Sequence, residues 1–238
     1  MRCRLVGSEM CIRDSTASGK SKLATQIASK HKSAIINFDS LQVYKDLKIL
    51  TDRPDDEICK KFDHRLYGML KGNESCSAAI WLEKAEHEIN NCFDNKLLPI
   101  VVGGTGLYLK ALMDGLSEIP SIKKNIEEQA KLDLETYGLD HLYKKILIKY
   151  QGTKINPNDK QRIMRSYSLL LQTGKVLEEW QFNPNKINDN VNYRLILTSN
   201  LREKLYESAA QRVENMFRDG AVAEVKSLIE KNYNPELS

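Results

Sequence analysis

The chain has 238 residues, 41% hydrophobic and 29% charged, and its 36 Lys+Arg against 32 Asp+Glu give a net charge of +4. That length allows one large or two small domains with enough apolar content for a core. A mean hydropathy of −0.47 and the lack of an apolar run approaching ~18 residues exclude a membrane-spanning helix, and glycine and proline are too scarce for a collagen-like or low-complexity chain.

In chain order, residues 19–31 read as a helix opening with Gly19-Lys20-Ser21, and Ser33–Phe38 as a short apolar strand with Asp39 immediately after it. Residues 40–76 are mixed and loop-rich, with a short helical pattern around Asp55 to Phe62. Ser77 to Asn95 reads as a helix, because Ala79, Trp81, Leu82, Ala85, Ile89 and Cys92 recur at helical spacing. Leu97–Val102 is a second buried strand, ending in Gly103-Gly104-Thr105, and a helix then runs toward Gly115. Residues 121–180 are helical, with turns at Gly138, Asn156–Asp159 and Gly174. Val191–Leu197 is a further strand, followed by amphipathic helices over Leu201–Arg218 and Ala221–Lys231. Continuously apolar strands alternating with helices predict an α/β fold with a parallel sheet covered on both faces. The expected organisation is a phosphate-loop NTPase-like core over 15–120 and 188–238, with an all-helical insertion over 121–187.

The charge is segregated. Residues 144–175 hold eight basic residues and one acid, Asp159, a segment at +7 that leaves −3 for the rest of the chain. Such a segment suits an anionic partner, nucleic acid first, or equally a solvated helix face. Five cysteines (Cys3, Cys11, Cys59, Cys76, Cys92) without C-x-x-C spacing, and no signal-peptide pattern, fit a reducing cytoplasmic compartment. The four histidines are scattered and give little support to a His-based metal site or triad.

Thr16-Ala17-Ser18-Gly19-Lys20-Ser21 opens the first helix. In a phosphate loop, glycines let backbone N–H groups curl around phosphate oxygens, the lysine adds a point charge, and the following hydroxyl ligates Mg²⁺. The helix N-terminus adds its own partial positive charge. The pattern calls for glycine five residues before Gly19, where this chain has Asp14, and for a buried strand, where it has Met10-Cys11-Ile12-Arg13. Residues 1–14 therefore read as a foreign or artefactual leader, resembling translated adapter or vector sequence, with a divergent but genuine N-terminus as the alternative.

Four ordered segments then converge: Thr16–Ser21, Asp39-Ser40-Leu41-Gln42-Val43-Tyr44-Lys45, Gly103-Gly104-Thr105-Gly106-Leu107-Tyr108-Leu109-Lys110-Ala111-Leu112, and Asn156–Arg165. Together they resemble the tRNA dimethylallyltransferases, and Arg202 to Leu228 is more weakly similar. The resemblance implies dimethylallyl diphosphate as donor, Mg²⁺ as cofactor, and transfer of the prenyl group to N6 of the adenine 3′-adjacent to the anticodon. It makes the tRNA anticodon stem-loop the partner and the enzyme a cytoplasmic monomer. It assigns Ser15, Thr16, Ala17, Ser18, Gly19, Lys20 and Ser21 to the diphosphate, with Ser21 on the metal, and Asp39 and Thr105 to catalysis. Asp39, Ser40, Leu41 and Gln42, with Gln161, Arg162, Ile163, Met164 and Arg165, match the RNA-contact segments.

The chemistry is consistent with those positions. Adenine N6 is a poor nucleophile, and general-base removal of its proton is worth about 10²–10⁴-fold; the base must also leave its stack. Gln161 and Arg165, four apart, share a helix face, while Ile163, Tyr167, Leu170 and Leu171 can point to the core. Glu127 stands where family members often carry arginine, and the family continues beyond position 238 through a Gly-Tyr motif and further helices, so the chain reads as truncated at both ends. Simpler readings stay open beside these. Asp39 can cap a turn, Thr105 and Asp159 can cap helices, and Tyr44, Tyr108, Trp81 and Trp180 can be packing residues. A nucleoside-type small-molecule kinase and an inactive RNA-binding fragment remain as alternative functions.

Overall fold

The structure, a computed structural model, describes residues 8–13, 19–181, 191–198 and 201–233. The chain divides into two compact units, one of residues 1–113 with 188–238 and one of residues 114–187. No helix among the described residues is long and apolar enough to cross a membrane.

The first unit is built on an all-parallel sheet of five strands, β1 (Ser8–Arg13), β2 (Ser33–Asn37), β3 (Asp63–Arg65), β4 (Leu98–Gly103) and β5 (Asn192–Leu197), in the order β3-β2-β4-β1-β5. Its centre is apolar in both directions, as parallel strands require. Ile12, Ile35, Ile100 and Val102 share one face with Ala24 of α1 (Lys20–Ala28). The alternate residues Cys11, Ile36 and Val101, also buried, point to the other face. There α3 (Ala78–Asp94) packs on β2 and β4 through Trp81, Leu82, Ala85, Ile89 and Cys92. Ser77 starts α3 by accepting the Ile80 N–H at 3.2 Å. Ala79 is exposed rather than on this stripe, because two residues before Trp81 is about 200° of helix arc.

Two strands depart from the expectations. Met10 to Arg13 forms a strand despite the arginine: β1 lies between β4 and β5, in register Ile12↔Val102 and Arg13↔Gly103. Cys11 and Ile12 supply the fully buried positions, and Arg13 is the last residue of the strand. Within the stretch read as loop-rich, β3 forms at the sheet edge beside β2, after α2 (Asp56–Lys61). It is short and charged, as edge strands tolerate, and Arg65 pairs with Asp63 at 2.7 Å and Glu88 at 3.0 Å. The remaining helices of this unit are α4 (Gly106–Asp114), and α9 (Arg202–Arg218) and α10 (Ala221–Glu230), which are separated by Gly220 at φ 100°.

The second unit is helical: α5 (Lys124–Tyr137), α6 (Leu139–Lys149), α7 (Lys160–Thr173) and α8 (Leu177–Trp180). Ala130, Leu142, Ile146, Ile155, Ile163, Tyr167 and Val176 form its core. The Tyr167 hydroxyl donates to Asp133 at 2.9 Å, and burial, then that carboxylate, push its phenol up to about 12. Asp159 caps α7 by accepting the Arg162 N–H at 3.0 Å, and Gly174 ends it at φ 73°. Leu171 is exposed and Leu169 buried.

Candidate functional site

The chain runs β1 to β2 on one side of the sheet and β4 to β5 on the other, so its order reverses between β4 and β1. In open α/β sheets the ligand crevice lies outside the carboxyl ends of the strands at such a reversal. A cleft of 1190 Å³ is found there, and its walls include Gly19, Lys20, Ser21, Asp39, Gln42 and Gly103. Gly19 takes φ 87° at the N-cap of α1, a conformation that favours glycine, and Lys20 and Ser21 form the first turn, with Ser21 exposed. Ser15, Thr16, Ala17 and Ser18 lie outside the described residues.

The ends of β2 and β4 are brought unusually close. Phe38 N–H donates to Val102 O at 2.9 Å, and a Cβ built on Gly103 would lie 2.5 Å from the Phe38 carbonyl carbon and 2.7 Å from Asp39 N. Only glycine fits that approach. Asn37, fully buried, locks the turn that follows: its Oδ1 accepts Asp39 N–H at 2.8 Å, and its Nδ2 donates to Asp39 O at 3.0 Å. The Trp81 indole donates to Asn37 O at 2.8 Å and its ring stacks on Tyr108, centroids 4.7 Å apart. Trp81 and Tyr108 thus act from the core, beneath the site, and burial pushes the Tyr108 phenol up.

The Asp39 carboxylate accepts Leu41 N–H at 2.9 Å through Oδ1, so the turn-capping and site readings are compatible; among the described contacts Oδ2 stays open. Thr105 accepts Ser40 N–H at 2.9 Å and donates to Ser40 Oγ at 3.2 Å. The structure therefore unites Asp39, Ser40 and Thr105 from segments 65 residues apart. Leu41 is exposed, and Gln42 donates to Thr51 O at 2.8 Å and Asp52 O at 3.2 Å, across the cleft wall.

Of the second expected RNA segment, Gln161, Arg162 and Arg165 are exposed on α7, Met164 is half-buried, and Ile163 is fully buried in the helical core. The Ile163 side chain therefore serves packing and not contact. Arg162 faces Asp159 at 3.4 Å, an exposed pair of little energetic weight. Glu127 is exposed in the first turn of α5, where a carboxylate complements the helix dipole.

The IPP transferase family model matches residues 42–238. This chain belongs to the IPP transferase family. It is 38% identical over 226 residues to the tRNA dimethylallyltransferase of Wolbachia pipientis subsp. Culex pipiens, covering 93% of this chain and 74% of the relative. It is also 38% identical over 228 residues to that of Pelagibacter ubique, covering 94% and 72%. Among solved structures, a eukaryotic dimethylallyltransferase acting on tRNA aligns with TM-score 0.79 and 28% identity, over 97% of this chain and 58% of that one. The full-length tRNA isopentenylpyrophosphate transferase of Bacillus halodurans aligns with TM-score 0.65 and 25% identity, over 96% and 72%.

Sequence reasoning missed the residues that hold the cleft wall formed by residues 48–55. Glu224 of α10 accepts three consecutive backbone N–H groups, Lys48 at 2.6 Å, Ile49 at 2.8 Å and Leu50 at 2.9 Å. Arg212 of α9 pairs with Asp52 at 3.3 Å. Asp46 accepts from Lys231, from Gly72 N–H at 2.8 Å and from Tyr233 at 3.4 Å. The signal available in sequence was the Thr51-Asp52-Arg53-Pro54 turn, whose proline marks a break.

Proposed function

We propose that this protein is a tRNA dimethylallyltransferase, a prenyltransferase that moves a dimethylallyl group from dimethylallyl diphosphate to N6 of the adenine 3′-adjacent to the anticodon. The observation that carries the reading is that Asp39 and the start of α1 line one cleft, with Thr105 hydrogen-bonded to Ser40 beside Asp39, in a chain of this family. In the reaction the N6–C1 bond forms as the C1–O bond to diphosphate breaks. Asp39 accepts the proton lost from N6 at its open Oδ2, while Leu41 N–H fixes the orientation of the carboxylate. Thr105, held by Ser40, orients the amine or a phosphate oxygen. Lys20 and the amides at the head of α1 stabilise charge growing on the leaving diphosphate, where preorganised donors count most.

The exposed Ser21 hydroxyl on the cleft wall would hold Mg²⁺, an ion that takes few protein ligands beside waters and substrate phosphates and would neutralise charge on the diphosphate. Asp39 to Gln42 and the exposed Gln161, Arg162 and Arg165 bind the anticodon stem-loop, in a monomer working in the cytoplasm. Family membership supports prenyl transfer over the kinase reading.

The test is transfer of labelled dimethylallyl to an adenine-bearing anticodon hairpin with Mg²⁺. Asp39→Asn keeps the acceptor for Leu41 N–H and removes the base. Transfer should fall about 10²–10⁴-fold, well beyond any loss of hairpin affinity, whereas wild-type turnover would remove Asp39 from the chemistry.

A further inference from the structure

Arg53 lines the cleft and, among the described residues, has no ion-pair partner. Every acid near it is already committed. Asp46 is held by Lys231, Gly72 and Tyr233, Asp56 by Lys48 at 2.7 Å, Asp52 by Arg212, and both oxygens of Glu224 by the amides of residues 48–50. Among the described residues Arg53 makes no ion pair. Its Nη2 reaches Lys45 O only at 3.4 Å, and its Nε is buried with no partner.

The guanidinium has a slot made for it. A Cβ on Gly68, which sits at φ +57°, would fall 1.7 Å from Nη1, so glycine provides the room. Burial lowers its pKa, partly offset by the field of Glu224, but an arginine stays charged. A half-buried cation without a partner is a stability cost. Evolving a slot for one makes physical sense where an anion arrives.

We propose that Arg53 is a phosphate-binding residue of this cleft, its planar fork receiving a phosphoryl oxyanion either of the prenyl diphosphate or of the RNA backbone. The planar guanidinium suits bidentate phosphate contact. The triple hydrogen bond from residues 48–50 to Glu224 and the Gln42 contacts to Thr51 and Asp52 fix the segment that presents it. The assignment rests on the proposed function for the identity of the ligands.

Arg53→Met keeps the length of the side chain and removes the charge, and Arg53→Lys keeps the charge and loses the fork. For each, binding of inorganic pyrophosphate with Mg²⁺ is measured by calorimetry. Binding of the anticodon hairpin is followed across a salt series, and Tm is recorded. If the phosphate is the donor's, Arg53→Met weakens pyrophosphate about tenfold or more and leaves the hairpin salt slope alone. If it is the RNA's, the slope falls by about 0.7 and pyrophosphate binding is unchanged. In either case Tm holds or rises, because a buried cation has been removed, and Arg53→Lys binds with intermediate strength. Wild-type values for both ligands in Arg53→Met overturn the proposal. So does a binding loss accompanied by a lowered Tm in both variants, the behaviour of a structural strut. These binding readouts do not require turnover, so a wild-type chain that fails to transfer the prenyl group would sink the proposed function while leaving Arg53 tested.

Discussion

The close approach of β2 and β4 makes Gly103→Ala the sharpest probe of the site. A methyl there would stand 2.5 Å from the Phe38 carbonyl carbon and 2.7 Å from both Phe38 O and Asp39 N, all backbone atoms that cannot rotate away. Ordinary contact begins near 3.4 Å, so the strand ends must part by close to 1 Å. Overpacking of this kind costs about 1–3 kcal/mol. For a chain of this size each 1 kcal/mol lowers Tm by roughly 2–4 °C. The functional loss should be larger than the loss of stability, because the displaced backbone carries Asp39 on one side and leads to Thr105 on the other. Misplacing a reacting group by 1 Å can cost about 10²-fold. Single-turnover prenyl transfer should therefore fall about 100-fold in protein that still shows a cooperative melt, while hairpin affinity, for which the proposed function also draws on the exposed face of α7, falls much less. A Gly103→Ala protein with wild-type transfer and wild-type Tm would refute both the close approach and the placement beside it of the two residues proposed as catalytic.

Other perturbations separate the parts of the molecule. Arg165→Ala, at an exposed position on α7, should weaken hairpin binding and lower the salt slope by about 0.7; an unchanged slope across a salt titration would remove that phosphate contact. Glu224→Gln replaces one acceptor oxygen with a donor that faces a backbone N–H, so it should destabilise by about 1–3 kcal/mol, read by urea denaturation, with Glu224→Ala worse; two variants as stable as wild type would show that the wall does not depend on this carboxylate. The Asp46 carboxyl is held below the usual carboxylate range, first by the Lys231 hydrogen bond and also by Gly72 N–H and Tyr233. A lowered folded-state pKa means its stabilisation is complete above the unfolded value of about 3.9 and is lost as pH falls through the folded value. The Tm gap between wild type and Asp46→Asn should be constant above about pH 5 and shrink below about pH 4, and a gap constant throughout the acid limb would contradict that linkage.

How far these features could be read without coordinates depends on how local their causes are. β2 and β4 are visible as apolar runs, α3 as a stripe with a serine cap, and α7 as a helix between Asp159 and Gly174, because each is specified by neighbours within a few residues. Asp39 and Thr105 are visible because each follows such a strand. β3 is not: Asp63-His64-Arg65 has no apolar alternation, and its strand conformation comes from pairing with β2 at the edge. β1 was hidden for a similar reason. Two buried side chains and two paired neighbours form a strand there that the polar ends of the segment argue against.

The same distinction explains why the start of α1 was legible and the cleft wall at residues 48–53 was not. A phosphate loop is a local device, built from the conformational freedom of one glycine and the free N–H groups of one helix start, so its residue types announce it. The wall at residues 48–53 is held by Glu224 and Arg212, which stand 176 and 161 positions away from the backbone groups they meet. A glutamate on an amphipathic helix and a loop with unpaired amides are each unremarkable alone; only the fold makes one complete the other. The consequence for Arg53 follows. Its lack of an ion-pair partner among the described residues is visible only once each neighbouring acid is seen to be occupied, and a charge whose surroundings leave it unmatched is where an anionic ligand gains the most from binding.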